Sequence, residues 1–191
     1  MKACLTVSLA ILAVAFAAPA MAQTGVYVSQ IGSANTARAS QDATAVAGYA
    51  KIEQDGERNK AEIIQQNGKH DARVMQTGTL NDALLIQQGP SMHQAVISQT
   101  GQKNQIELAQ ISTLASQFAS ITQSGDSNKV NLSQDGAPNS ATLSQNGDRN
   151  VLNLAQNGGS TISWTQTGND LSSVGVSVDG AQTMIITQTK P

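Results

Sequence analysis

Gln99-Thr100-Gly101-Gln102-Lys103-Asn104-Gln105-Ile106-Glu107-Leu108-Ala109-Gln110 is the stretch whose reading decides the fold. It opens with a hexapeptide of the form Gln-x-Gly-x-x-Asn. A short segment follows in which apolar and polar residues alternate, ending on a second Gln. Alternation with period two puts Ile106, Leu108 and Gln110 on one face of a strand and Glu107 and Ala109 on the other. A helix would need apolar positions three and four apart, and the recurring Gly interrupts any such pattern.

Outward from this stretch the same hexapeptide starts at Gln30, Gln54, Gln76, Gln99, Gln123 and Gln145, and in weakened form at Gln166, at intervals of 24, 22, 23, 24, 22 and 21 residues. In the first six copies a partner Gln follows 11 residues later, at Gln41, Gln65, Gln87, Gln110, Gln134 and Gln156. The spacing within a pair is fixed and the spacing between pairs varies, which predicts one tight turn of constant geometry and one tolerant loop per repeat. The turn glycines Gly32, Gly56, Gly78, Gly101, Gly125, Gly147 and Gly168 are the positions expected to need positive φ. Asn35, Asn59, Asn81, Asn104, Asn128 and Asn150 close the turns.

A single strand-turn-strand unit cannot bury its apolar row, so copies must stack. The expected fold is all-β: a β-solenoid or cross-β stack of about seven and a half rungs, fifteen strands in all, the last half rung ending at Gln188. Stacking sets like residues over like at about 4.8 Å, and each primary amide can both donate to and accept from its equivalent. The Gln and Asn residues named above, with Gln166 and Gln188, are therefore the candidate ladder positions. The first strand, 24–30, and the last, 182–188, carry no charge and no Pro. Sheet edges are normally blunted by such residues, so both ends read as open for addition of another chain. Charges gather in the second rung (Lys51, Glu53, Asp55, Glu57, Arg58, Lys60, Glu62), where they either slow premature association or simply face water.

Composition narrows the function. Aromatic residues make up 3% and charged residues 13% of the 191 residues, with a net charge of −2, so no basic stripe exists for nucleic acid and no polybasic patch for a membrane surface. Lys2, the apolar run from Leu5 to Ala18 and the Ala20-Met21-Ala22 site read as a secretory signal peptide over residues 1–22, leaving a repeat domain over 23–191. Its removal takes away Cys4, the single cysteine. That apolar run is too short to cross a bilayer comfortably, so no membrane insertion is expected. No Ser/His/Asp grouping or His-x-x-x-His spacing appears, so the expectation is a non-enzyme without cofactors. Asp126 and Asp148 lack the Gly-Gly-x-Gly-x-Asp pattern of calcium-binding repeats. His70 and His93 share one repeat position. They read either as a minor metal or pH-sensitive pair or as two tolerated substitutions. Trp164 is expected to fill the core of the weakened rung.

The repeat Gln-x-Gly-x-x-Asn-x-(apolar)-x-(apolar)-x-Gln, covering residues 24–188, resembles the curlin repeat. The resemblance implies a subunit of an extracellular functional amyloid, the curli fibre of a bacterial surface, serving adhesion and biofilm matrix. It also implies partners: copies of the chain itself, a companion curlin subunit, and an outer-membrane export channel. The sequence departs from that pattern in three respects. It lacks a Gly-rich leader after residue 22, it has more repeats than usual, and it carries Val178 in place of a ladder Gln. Its ending, Met184 to Gln188, is similar to the nucleating minor subunit, and the choice between major and minor subunit stays open. The competing expectation is a soluble secreted β-solenoid that binds a flat ligand such as a polysaccharide or ice. That class relies on a regular outward array, which the irregular outward positions here do not provide.

Overall fold

A computed structural model of the chain describes residues 5–8 (backbone only), 25–45, 47–173 and 175–190. Its elements are all strands: β1 (Leu5–Ser8), β2 (Gly25–Ser33), β3 (Thr36–Gln41), β4 (Tyr49–Glu57), β5 (Lys60–Gln66), β6 (Asp71–Thr79), β7 (Asp82–Gln88) and β8 (Gln94–Gln102). These are followed by β9 (Gln105–Ile111), β10 (Phe118–Ser124), β11 (Lys129–Asp135), β12 (Ser140–Asn146), β13 (Val151–Asn157), β14 (Thr161–Thr167), β15 (Val176–Asp179) and β16 (Thr183–Thr189). From β2 onward even-numbered strands build one parallel sheet and odd-numbered strands the other, each pairing with the strand two places on in sequence. The result is a β-solenoid of about seven turns, all-β as the period-two alternation requires.

The register is strict. In the even sheet Gln30, Gln54, Gln76, Gln99, Gln123, Gln145, Gln166 and Gln188 lie in one line of Cα partners. In the odd sheet Gln41, Gln65, Gln87, Gln110, Gln134 and Gln156 do the same, and Val178 takes the seventh place. A slip of one residue would turn every apolar side chain to solvent, which is why the alternation fixes the pairing. The core is the row of inward residues between the sheets. Ile52, Ile63, Leu85, Ile97, Leu108, Ile121 and Leu143 are at most 1% exposed. Ala50, Ala61, Ala72, Ala83, Ala95 and Ala119 form a thinner neighbouring row.

Each constant turn holds two left-handed residues. Its glycine has φ between 97° and 121°, and the non-glycine residue just before the Asn, for example Lys103 or Arg149, has φ between 55° and 60°. The second position was not anticipated from sequence, because it tolerates Ala, Arg, Leu, Lys, Ser and Asp alike. Each costs about 1–2 kcal/mol as a left-handed L-residue. The glycine is constrained more severely. A Cβ on Gly101 would run into the carbonyl of Gly125 directly above it, and Gly56, Gly78 and Gly125 meet the next glycine in the same way.

The expected signal segment lies almost wholly outside the described residues, including the Ala20-Met21-Ala22 site. The exception is β1, which runs antiparallel along β3, pairing Leu5 with Gln41 and Ser8 with Arg38. This four-residue strand covers one edge of the odd sheet. Near the other end the seventh rung buckles. Ser172 bridges to Val151 while Val176 pairs with Leu154, so one extra residue is accommodated between them and β15 is cut to four residues.

Gly125→Ala is expected to lower the chemical-denaturation midpoint by an amount equivalent to about 1–3 kcal/mol, the range for backbone strain of this kind. Gly25→Ala shares a positive φ but has open space around it, so its loss is expected to be smaller. Equal losses at the two sites would remove the carbonyl contact as the reason for glycine in the turn.

Candidate functional site

The candidate site is the interior itself, together with the two edges where it stops. Along the even sheet each glutamine amide donates to the next: Gln54 Nε2 to Gln76 Oε1 at 2.7 Å, Gln76 to Gln99 at 2.8 Å, Gln99 to Gln123 at 2.9 Å and Gln123 to Gln145 at 2.8 Å. Gln30 begins this chain on Gln54, and Gln145, Gln166 and Gln188 complete it. The odd sheet carries its own chain from Gln41 through Gln65, Gln87, Gln110 and Gln134 to Gln156. Both point the same way: Nε2 toward the β16 end, Oε1 toward the β2 end.

Sequence reasoning anticipated only half of the amide's work. The second hydrogen of each Nε2 crosses the core to a backbone carbonyl on the opposite sheet, as from Gln76 to Lys60 at 2.8 Å and from Gln110 to Gln94 at 3.0 Å. Each interior glutamine thus ties its own sheet vertically and the two sheets to one another. An amide left without a partner in such a place costs about 1–3 kcal/mol.

The asparagines work differently from the side-chain ladder expected of them. Asn104 Nδ2 donates to the carbonyl of Gly125 in the rung above at 2.7 Å, and its Oδ1 accepts the backbone N–H of Asn128 at 3.0 Å. Asn35, Asn59, Asn81, Asn128 and Asn150 repeat the first contact on Gly56, Gly78, Gly101, Gly147 and Gly168. Among the turn asparagines of the described residues, direct amide-to-amide bonds join only Asn81 to Asn59 and Asn128 to Asn104. The asparagines are therefore backbone staples that hold one turn against the next and satisfy the polar groups which the left-handed residues turn inward. The Asp126 and Asp148 side chains do similar work, accepting the backbone N–H groups of Gln102 and Asp126 at 2.9 Å each.

The variable loops end in an equivalent staple, six residues before the even-sheet glutamines. There the residue changes from His70 to His93, Gln117, Asn139 and Ser160, yet the contact persists. His70 Nδ1 accepts the N–H of His93 at 3.1 Å, His93 Nδ1 that of Gln117 at 3.2 Å, Gln117 Oε1 that of Asn139 at 2.9 Å, and Asn139 Oδ1 that of Ser160 at 2.9 Å. The signal was present in the sequence as a matched spacing, since the turn asparagines also lie six residues before a ladder glutamine. The two imidazoles are stacked, with ring centroids 4.8 Å apart and planes within 2°. Because Nδ1 accepts, Nε2 carries the proton and donates to Gln66 O from His70 and to Gln88 O from His93. Both nitrogens of each ring are thereby used, so a cation would have to displace a backbone contact to bind.

Burial holds both histidines below the ordinary imidazole value. The His70 ring adds to the depression at His93, while the Asp42 carboxylate opposes it at His70. A proton on Nδ1 would also confront a backbone N–H. The unfolded chain therefore binds protons more readily than the stack below about pH 6.5. The stability these sites allow is complete above that pH and is lost as pH falls toward the lowered folded values.

Trp164 lies in the core at 2% exposure, and its Nε1 donates to Gln188 Oε1 at 3.2 Å. At the degenerate rung Leu171 stands in the asparagine position, its N–H bonded to Asn150 Oδ1 at 2.9 Å. Val178 ends the odd ladder, and Gln156 turns its Nε2 to Ser160 Oγ and to the carbonyls of Ser140 and Ser160. Ion pairs such as Lys51–Glu53 and Arg149–Asp170 lie on the outer faces, where such pairs contribute little to stability. Among the described residues no group of three or more His, Cys, Asp or Glu side chains is placed to hold a metal ion.

Fold and interior together define a two-sheet parallel β-solenoid stapled by amide ladders. Residues 125–158 match the family model described as the curlin associated repeat, so this span carries that repeat. The matched span runs from one turn glycine through β11, β12 and β13, and the same pattern recurs in the rungs before it. No curated protein and no solved structure matches the chain.

Gln110→Leu is expected to cost about 1–3 kcal/mol per orphaned amide group, because Gln87 loses its acceptor and Gln134 its donor. The same change at Gln41, at the edge of the ladder, is expected to cost less in denaturant-midpoint measurements. In the double variant His70→Asn, His93→Asn, whose side chains can make the same staple without titrating, the drop in midpoint between pH 7.5 and pH 5 is expected to shrink. An unchanged drop would show that the histidines do not govern it.

Proposed function

We propose that the chain is a structural subunit of an extracellular amyloid fibre of the curli type, secreted after loss of residues 1–22 and polymerised by stacking copies end to end. The observation that carries this reading is the state of the two edges. At one edge the core-facing Val26 is 41% exposed, and at the other Met184 is 36% exposed, whereas their stacked counterparts Ala50, Ala72, Ala119 and Ile162 are at most 1% exposed. The ladder itself is unfinished in a complementary way, with Oε1 of Gln30 facing out at one end, joined there by Oε1 of Gln41 once β1 is removed from β3, and Nε2 of Gln188 at the other. An exposed end of this kind is a template for another copy.

Adhesion and a place in the biofilm matrix, a companion curlin subunit that nucleates growth, and an outer-membrane export channel belong to the same proposal and rest on the repeat family. A soluble solenoid binding a flat ligand is less well supported. It would need a regular outward array, and the outward column holding Glu62, Leu84, Glu107 and Asn131 changes character at nearly every rung.

The chain from Gln23 onward, incubated at neutral pH, is expected to form unbranched fibres that bind thioflavin T and give a meridional reflection near 4.8 Å, the strand spacing. Persistence as single particles at concentrations where other curlin-repeat chains assemble would rule the proposal out.

A further inference from the structure

Among the described residues from 25 to 190, the strands are odd in number. Without β1, the even sheet holds eight strands, β2 to β16, and the odd sheet seven, β3 to β15. The solenoid therefore ends half a rung out of phase with its beginning. If the next copy stacked in the same orientation, its β2 would pair with β16, but its β3 would lie two strand spacings from β15. Each junction would then contain an empty slot one strand wide, with two unpaired edges and open core on either side. Unmade backbone hydrogen bonds in such a slot are costly.

We infer that successive copies are related by a half turn about the fibre axis, so that β2 of one copy pairs with β15 of the copy before it and β3 pairs with β16. This rests on the fibre reading above and on the removal of β1 from the edge of β3. A rotation of 180° about the axis exchanges the two sheets while preserving strand direction, because strands in the two sheets run opposite ways across the core. The next copy then continues the winding as though the chain had not been interrupted.

The sequence permits the exchange because the two halves of a rung are equivalent. In both sheets a strand reads staple, x, apolar, x, apolar, x, Gln, with the staple supplied by asparagine on the odd side and by His70, His93, Gln117, Asn139 or Ser160 on the even side. Aligned in this register, Met184, Ile186 and Gln188 fall over Ala37, Ala39 and Gln41 of the next copy. Gln188 Nε2 then meets Gln41 Oε1, which is left at that edge when β1 is removed, since Gln41 Nε2 is used on Gln65. In the other column Val178 meets Gln30 and offers no amide, so one ladder runs through the junction and the other restarts there. Val26 and Val28, and on the facing side Met184 and Ile186, pass from edge to core. The bulge before β15 narrows that pairing to four residues. A reversed copy is excluded by the same chemistry, because it would set carbonyl against carbonyl and turn parallel pairing antiparallel.

The test uses the chain from Gln23 to Pro191, which has no cysteine once Cys4 is gone. Ile185 is an outward residue, 82% exposed, on β16. With a half turn it sits over Arg38 of the next copy; without one it sits over Tyr27. Partners one strand apart, at about 4.8 Å, lie within the Cα range that a disulfide tolerates, whereas residues on opposite faces do not. Two double variants, Ile185→Cys with Arg38→Cys and Ile185→Cys with Tyr27→Cys, are assembled, oxidised, dissolved and separated without reductant. The first is expected to give covalent multimers at least about tenfold in excess of the second. Excess in the second, equal yields in both, or multimers in neither despite fibres of normal appearance would overturn the half turn and leave the fibre reading standing. If the unmodified chain forms no fibre, the fibre reading fails and the junction with it. A second measurement needs no substitution: a helical reconstruction of the unmodified fibre should show 180° of rotation per subunit at a rise of roughly 36 Å.

Discussion

A buried primary amide has two hydrogens and a carbonyl to satisfy, and the interior of this protein contains such an amide at almost every level of both sheets. The hydrophobic rows alone would tolerate many packings; the amides do not. Each ladder glutamine from Gln54 to Gln145 uses one hydrogen on its equivalent above, the other on a carbonyl across the core, and its oxygen on the equivalent below, as Gln110 does. Only in-register stacking of identical residues meets all three demands together. From this follow the strict repeat length within each strand-turn-strand unit, the glycine that lets adjacent turns approach, and the asparagine that fastens one turn to the next.

The same constraint gives the solenoid a direction and leaves it unfinished. A chain of amides oriented one way ends in bare acceptors on one side and a bare donor on the other, whatever the number of rungs. Within the ladders the unsatisfied groups lie in the end layers, so their cost is reduced per residue by adding length and is removed only by contact with an equivalent layer. In the proposed fibre, growth and stability of the stack would depend on the same hydrogen bonds. The staples at the variable loops show how narrow the requirement is: histidine, glutamine, asparagine and serine all serve, provided the residue offers one acceptor to the N–H above or a compact polar end to the column.

Much of this was legible in the order of residues. The parallel stack, the alignment of glutamines and the inward rows followed from period-two alternation and from a spacing that never varied between Gln99 and Gln110 or their counterparts. The degenerate rung was also visible, in Leu171 and Val178. What escaped sequence reading was geometry at right angles to the strand. The hydrogen bonds from Gln76 to the carbonyl of Lys60, and from Asn104 to that of Gly125, involve backbone atoms, which carry no residue-specific signal. The left-handed residue before each asparagine escaped because its conformation is imposed by the turn and leaves its side chain free to vary. The histidine pair was noticed for its chemistry, whereas its role is steric and electronic: Nδ1 stands where an amide oxygen stands elsewhere. The pairing of Leu5–Ser8 with β3 could not be read from an apolar run whose composition is that of an export signal.

The contact between stacked side-chain amides is the interaction on which the whole stack depends. Solid-state NMR of fibres or of the isolated solenoid, with 15N in the glutamine side chains and 13C in their carbonyls, reads it directly. Gln110 Nε2 should correlate with the side-chain carbonyl carbon of Gln134, at a strength matching an N–O separation of 2.9 Å. A glutamine nitrogen that correlates only with backbone carbonyls or water would mean that the columns are aligned but not bonded, and the ladder would lose its place as the organising interaction.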